Sequence, residues 1–211
     1  RPIDLEVTVS AGEYEVAHPE YQGKWDQFGQ INVKDDTTAT LSFAFVDSAT
    51  GAPAVLEKFY FTIFDVDQQK DESKHSEILC IDDDQYDEYV LADGGGELVV
   101  SYRPDESCTG ERSVGSTTFA SSTPGFLCDN PTDPLALGTV SCADCDQCAA
   151  SDGALDEHFP IDQSDRAVMF VFRKPRSAFE LSYTIPCETC YDTRGRNFVF
   201  GGKSSLCAWP S

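Results

Sequence analysis

VLEKFYFTIFDVD, residues 55–67, decides the fold. Along an extended chain side chains alternate faces, so Phe59, Phe61 and Ile63 fall on one side. The same period of two recurs on both flanks. IDLEVTV (3–9) alternates Ile3, Leu5, Val7 and Val9 with polar residues, and ATLSFAFVD (39–47) lines up Leu41, Phe43 and Phe45. EILCI (77–81), YVLA (89–92), ELVVSY (97–102), AVMFVF (167–172), AFELSYTI (178–185) and NFVF (197–200) complete the set. DGGG (93–96) between two of them carries a hairpin signal, and RKPRS (173–177) reads as a turn. No stretch shows helical periodicity over eleven or more residues. The expected fold is all-β, an antiparallel β-sandwich or jelly roll.

Two stretches stand outside this pattern. Residues 11–30 are polar and aromatic without a tight-turn signal, and about 103–166 form a long Cys-, Asp-, Ser- and Pro-rich excursion. The chain therefore divides into an N-terminal strand (1–10), a linker and first core segment (11–37), and a sandwich (38–211) carrying the Cys-rich insertion. The strand at 3–9 has no hairpin turn after it, which leaves two placements. It folds back as an edge strand of its own sandwich, or Ile3, Leu5, Val7 and Val9 enter an open sheet edge of the next subunit, as in donor-strand complementation.

The chain of 211 residues is long enough to bury a sizeable core. Its 37 acids against 15 Lys and Arg give a net charge of −22. No basic stripe exists to release counterions from phosphate, so nucleic acid is excluded as a partner. Anionic membrane surfaces are disfavoured for the same reason, and no apolar run approaches the length of a membrane helix. Divalent cations are the partners such acidity invites. The absence of an initiator Met and of a signal peptide makes Arg1 read as the start of a processed or trimmed chain.

Nine cysteines in an acidic, strand-rich chain indicate a disulfide framework and an oxidising, extracellular compartment. They are Cys80, Cys108, Cys128, Cys142, Cys145, Cys148, Cys187, Cys190 and Cys207, and the odd count leaves one without a partner in the chain. Cys142, Cys145 and Cys148 are expected to pair with one another or with Cys187, Cys190 and Cys207. The Cys-x-x-Cys spacings also admit zinc, but Asp144 and Asp146 crowd the first cluster and no basic residue flanks it. No Asn-x-Ser/Thr sequon is present. TTAT (37–40) and STTFASSTP (116–124) are the candidate O-glycan segments.

The chemistry sits where the fold-deciding strand ends. Asp65 and Asp67 would lie about 6–7 Å apart at the core edge, where like charges repel unless they reach water or share a cation. A strand running out into solvent and a calcium site both satisfy that requirement. Glu77 and the acids Asp82, Asp83, Asp84, Asp87 and Glu88 come next in the chain. Loops converge at one end of a sandwich, so such groups can share one ion. Enzyme signatures are thin: the three His lie near no nucleophile, and no Gly-x-Ser-x-Gly, His-Glu-x-x-His or phosphate loop is present. Tyr21, Trp25, Tyr191 and Trp209 are candidates for stacking on sugars, or for packing under loops.

In the order LSFAFVDSATGAPAVLEKFYFTIFDVD (41–67), Glu77, DNPTDPLAL (129–137), QSDRAVMFVFRKPRSAFELSYTI (163–185) and GRNFVFGG (195–202), the chain resembles an uncharacterised secreted β-sandwich module of algal and other protist proteins. The resemblance spans about residues 38–202. It implies that Asp65, Asp67, Asp129 and Asn130 are the family's polar positions and that a cation sits at one end of the sandwich. The Cys-rich stretch around 138–160 and residues 1–30 depart from that pattern. Together these readings lead to a secreted structural or adhesive subunit without a catalytic centre. It would self-associate head to tail into a homopolymer and be stabilised by disulfides and Ca2+ bound by Asp65, Asp67, Glu77, Asp129 and Asn130. A Ca2+-dependent carbohydrate-binding module is the alternative, and a secreted hydrolase a weaker third.

Overall fold

The computed structural model describes residues 2–68, 76–110, 114–149, 159–187 and 195–204. Two six-stranded antiparallel sheets form a sandwich. In chain order the strands are β1 (Ile3–Gly12), β2 (Gly23–Trp25), β3 (Phe28–Val33), β4 (Thr37–Asp47), β5 (Phe59–Phe64), β6 (Ile78–Asp82) and β7 (Glu88–Val90). They continue with β8 (Leu98–Arg103), β9 (Ser116–Ser121), β10 (Thr139–Val140), β11 (Ile161–Asp162), β12 (Val168–Phe172), β13 (Ala178–Ile185) and β14 (Arg196–Ser204). The first sheet has the order β1-β4-β13-β6-β9-β8 and the second β2-β3-β14-β5-β12-β7, while β10 and β11 make a small ribbon of their own. One four-residue helix, α1 (Asp146–Ala149), lies in the Cys-rich stretch.

The alternating faces meet between the sheets as the sequence requires. Phe59, Phe61 and Ile63 of β5 are buried against Phe43 and Phe45 of β4, Phe179 of β13, Phe170 and Phe172 of β12, and Phe198 and Phe200 of β14. The ring of Phe43 lies 4.9 Å from that of Phe179 in its own sheet and 5.0 Å from that of Phe61 across the sandwich. Offset and edge-to-face pairs of this kind add to simple burial. Replacing Phe43 by Ala is expected to cost about 3–5 kcal/mol in urea unfolding monitored by fluorescence.

Several local readings change. DGGG does not close a hairpin, because β7 and β8 lie in different sheets. Gly94, Gly95 and Gly96 do adopt positive φ, but they carry the chain across the sandwich. A Cβ on Gly96 would stand 2.6 Å from the carbonyl oxygen of Asp165, whose acceptor also takes the Glu97 N–H at 2.8 Å. The excursion at 103–166 contributes β9, which sits inside the first sheet between β6 and β8. Of STTFASSTP, Ser116, Thr117, Thr118 and Ser121 are buried while Ser122 is exposed, and of TTAT only Thr38 is exposed. β3 lies in a stretch too polar to show a period: Gln30 and Asn32 are both buried, and Asn32 accepts the N–H groups of Ala17 and His18.

The disulfides are Cys80–Cys108, Cys128–Cys145 and Cys142–Cys148. Cys142 and Cys148 thus pair within their cluster, as expected. Cys145 reaches back to Cys128 instead, and Phe126 and Phe159 pack against this cluster. Cys187 is also disulfide-bonded; Cys190 and Cys207 fall outside the described residues. The three mapped bridges fit an oxidising, extracellular-type environment. No helix among the described residues is long and apolar enough to cross a membrane.

β1 takes the first of its two placements. It pairs antiparallel with β4 of the same chain from Ile3↔Asp47 to Gly12↔Ala39, at the edge of the first sheet. Ile3, Leu5 and Val7 pack on the core only half-buried.

Candidate metal centre

Four chain segments converge at one end of the sandwich. The strand β5 ends at Phe64, and Asp65 then enters the left-handed region with φ +59°. Aspartate tolerates that conformation better than most residues. The twist breaks the alternation expected for Asp65 and Asp67, and yet both carboxylates turn to the same place. Val66 N–H donates to the carbonyl of Arg166 at 3.0 Å and Gln68 N–H to that of Thr123 at 3.0 Å, which fixes this segment between its neighbours.

Asp129 comes from the loop after β9. Both its carboxylate oxygens accept the Phe126 N–H at 3.1 Å, and its own carbonyl accepts from Gln163 Nε2 at 2.8 Å. The Cys128–Cys145 bridge staples the adjoining residue. One oxygen from each of Asp65, Asp67 and Asp129 lies within 4.8 Å of the others. Gly125 is what lets the loop come so close: a Cβ there would stand 1.4 Å from Asp67 Oδ2.

Two arginines that the sequence reading did not single out complete the cluster. Arg166 ends a 3-10 turn (Gln163–Arg166) capped by Asp162, whose side chain accepts from Ser164 N–H at 2.9 Å. Its buried guanidinium pairs with Asp129, donates through Nε to Glu97 at 2.8 Å and through Nη2 to the Pro124 carbonyl at 2.9 Å. Arg196 opens β14 and bridges Asp67 and Glu77, the latter at 2.8 Å through Nε. The only hint in the sequence was positional. Each is a rare cation of an acidic chain placed next to an apolar strand.

Glu77 therefore belongs to the cluster, through Arg196 and beside Asp65. Asn130 belongs to it in a different sense from that expected. Oriented so that both ends of its amide are satisfied, its nitrogen donates to Asp65 Oδ2 at 3.2 Å and to the Phe126 carbonyl at 3.0 Å. It orients Asp65 and offers no oxygen to the centre. The run Asp82–Asp84 with Asp87 and Glu88 lies elsewhere. Asp82 accepts the Cys108 N–H at 2.6 Å, Asp83 contacts Tyr86 and Thr117, and Asp87 and Glu88 pair with Lys174 and Arg173.

Electrostatics sets the cluster apart. Among the described residues the cations paired with this cluster are Arg166, shared between Asp129 and Glu97, and Arg196, shared between Asp67 and Glu77, so the carboxylates outnumber the guanidiniums that face them. Asp65 keeps part of its surface at the boundary, but its carboxyl is packed deep and lies beside Asp129. Desolvation first, and Asp129 second, raise it to about 7 against the pull of both arginines. Burial and then Asp65 push Glu77 well above the usual carboxylate range. Asp129 is raised by burial, with Arg166 opposing. The hydroxyl of Tyr183 is fully buried and faces Glu77, and burial first and the Glu77 charge second raise it well above its ordinary value.

Compared with family models, curated proteins and solved structures, the chain matches none.

Two outcomes follow. Arg166→Met leaves Asp129 buried and unpaired, and should lower stability by about 3–5 kcal/mol in urea unfolding, with much of the loss recovered when Asp129→Leu is added. The second concerns pH with divalent cations chelated. Carboxyls whose folded pKa is raised stabilise the protein fully below their unfolded pKa, and that stability is lost as pH rises through the folded value. Unfolding free energy should therefore fall between about pH 4 and 7, and Asp65→Asn should flatten the fall.

Proposed function

We propose that the chain is an extracellular, non-catalytic building block, structural or adhesive, whose sandwich end is locked by a bound calcium ion. The carboxylate surplus at the end of the core carries this reading. Calcium takes oxygens at 2.3–2.6 Å, so opposite ligands stand about 4.6–5.2 Å apart. One oxygen from each of Asp65, Asp67 and Asp129 lies within 4.8 Å of the others, close enough for the three to share one such ion. A divalent cation would offset part of the negative charge that the two arginines leave. The position supports a structural role. The cluster ties β5, β6, β14 and the excursion together, and the two cavities described below and around Cys80 are lined by other residues.

Binding to the folded state alone stabilises by RT ln(1 + [L]/Kd), about 2.7 kcal/mol at a hundredfold excess over Kd. Removing calcium with EGTA at pH 8 should lower Tm by on the order of 5–10 °C for a chain of this size. Asp65→Asn with Asp67→Asn should abolish the difference. An identical melt with and without chelator overturns the calcium lock.

A second reading, calcium-dependent glycan binding, is favoured by one observation. Tyr21 and Trp25 are exposed, with Trp25 stacked 5.8 Å from Phe28 beside Gln22 and Gln27. Retention on a glycan array that is lost in Trp25→Ala selects this reading. Tyr191 and Trp209 lie outside the described residues.

A further inference from the structure

We propose that the groove between β1 and the β2–β3 edge of the opposite sheet is a binding site for a free fatty-acid carboxylate. Its volume is about 600 Å³, within the range of roughly 300–1,000 Å³ found for small-molecule sites. Leu5, Val7 and Val9 of β1 wall one side, and the buried Ile31, Leu41 and Phe200 lie at its base. The groove stays open because two inward positions of the second sheet have no side chain. A Cβ on Gly29 would stand 2.3 Å from the Phe200 ring, and Gly202 sits opposite the inward Phe61 of β5. β1 does not close the gap from the other sheet: Leu5 and Val7 are half-buried and Val9 is 40 % exposed. Tyr14, packed on the core, shuts one end, its hydroxyl donating to Gln22 Oε1 at 3.1 Å.

Charge selects the ligand. The chain has 37 acids and a net charge of −22. Among the described residues none of those acids lines the groove, and its single charged side chain is Lys24. The strand register aims that lysine. Lys24 pairs with Gly29, and directly opposed residues of an antiparallel pair share a face. The lysine therefore leaves β2 on the inward side, over the position Gly29 leaves bare. Trp25, the next residue, faces the other way and stacks on Phe28. Lys24 is exposed, and no carboxylate among the described residues pairs with it. Its stem can lie along apolar surface while the ammonium stays at the rim, where the exposed amides of Gln22 and Gln27 also stand. An ammonium at the mouth of an apolar trough matches one anionic head on an apolar tail. A sugar would leave the apolar base unmatched, and an alkyl cation would be repelled. The groove shares no residue with the acidic cluster of Asp65, Asp67 and Asp129, so its occupancy and the calcium lock are separable.

The test is isothermal titration of the full chain at pH 8 with decanoate, dodecanoate, decan-1-ol and decyltrimethylammonium, each below its aggregation concentration. One decanoate should bind per chain, about two- to fivefold more tightly than decan-1-ol, as befits an exposed ion pair. Each methylene added up to dodecanoate should tighten binding by roughly fourfold, and decyltrimethylammonium should bind most weakly. Methyl NMR shifts on binding should fall on Leu5, Val7, Val9, Ile31 and Leu41. Lys24→Glu, at an exposed position outside the core, should reverse the preference between acid and cation. Val9→Trp, which fills the groove from its rim, should abolish binding while the thermal melt is retained. An acid-over-cation preference unchanged in Lys24→Glu, or methyl shifts confined to other residues, overturns the site whether or not Val9→Trp folds. Absence of saturable one-to-one binding by both acids overturns it as well. If the protein then cosediments with phosphatidylcholine vesicles, the groove is a membrane contact and not a fatty-acid site.

Discussion

Charge buried at the open end of a sandwich is the constraint on which the rest of this structure turns. The sheets bury an almost purely apolar interior rich in phenylalanine, and such a core must end somewhere. Here it ends against four carboxylates and two guanidiniums. Removing ions from water costs several kcal/mol each even after relaxation, and pairing recovers that only with good geometry and further hydrogen bonds. The arginines provide both. A guanidinium presents donors in a fixed fork, so Arg166 serves Asp129, Glu97 and the Pro124 carbonyl at once, and Arg196 serves Asp67 and Glu77. A lysine offers no such planar fork.

This requirement explains the long excursion after β8. Asp129 cannot approach Asp65 and Asp67 unless its loop is drawn over the end of β5. Gly125 removes the side chain that would collide with Asp67, and the Cys128–Cys145 bridge fixes the adjoining residue. A loop of this length costs entropy to order, and the bridges with β9 take up much of that cost in the unfolded state and in the sheet. The disulfides and the ion cluster are two parts of one closure.

The sequence makes the fold legible because alternation needs only neighbouring residues. Phe59, Phe61 and Ile63 face the core as their spacing demands. Where the reading fails, the missing information lies elsewhere in the chain. DGGG has the backbone chemistry of a hairpin, and only the position of Asp165 shows that it crosses between sheets. β9 reads as a Ser/Thr tract because its hydroxyls find partners in the fold, such as Thr118 with the Ser101 carbonyl of β8 at 3.3 Å and Ser116 with the Glu106 carbonyl of the following loop at 2.6 Å. Of the site, Asp65, Asp67, Glu77 and Asp129 were visible as acids beside apolar strands or in a stiff loop. Arg166 and Arg196 were not, since nothing local distinguishes a buried arginine from a solvated one. Asn130 was visible but misread, because an amide offers an oxygen and a nitrogen and only its neighbours select between them.

β1 shows where legibility ends. Its alternation specifies a strand with one apolar face and a partner edge, and it is satisfied equally by β4 of its own chain or of another. Hydrogen bonds and side-chain contacts are the same in both, so they cannot choose. What differs is the connection: in cis the tether gives the strand a high effective concentration at β4, and in this structure β1 lies along β4 of its own chain from Ile3 to Gly12.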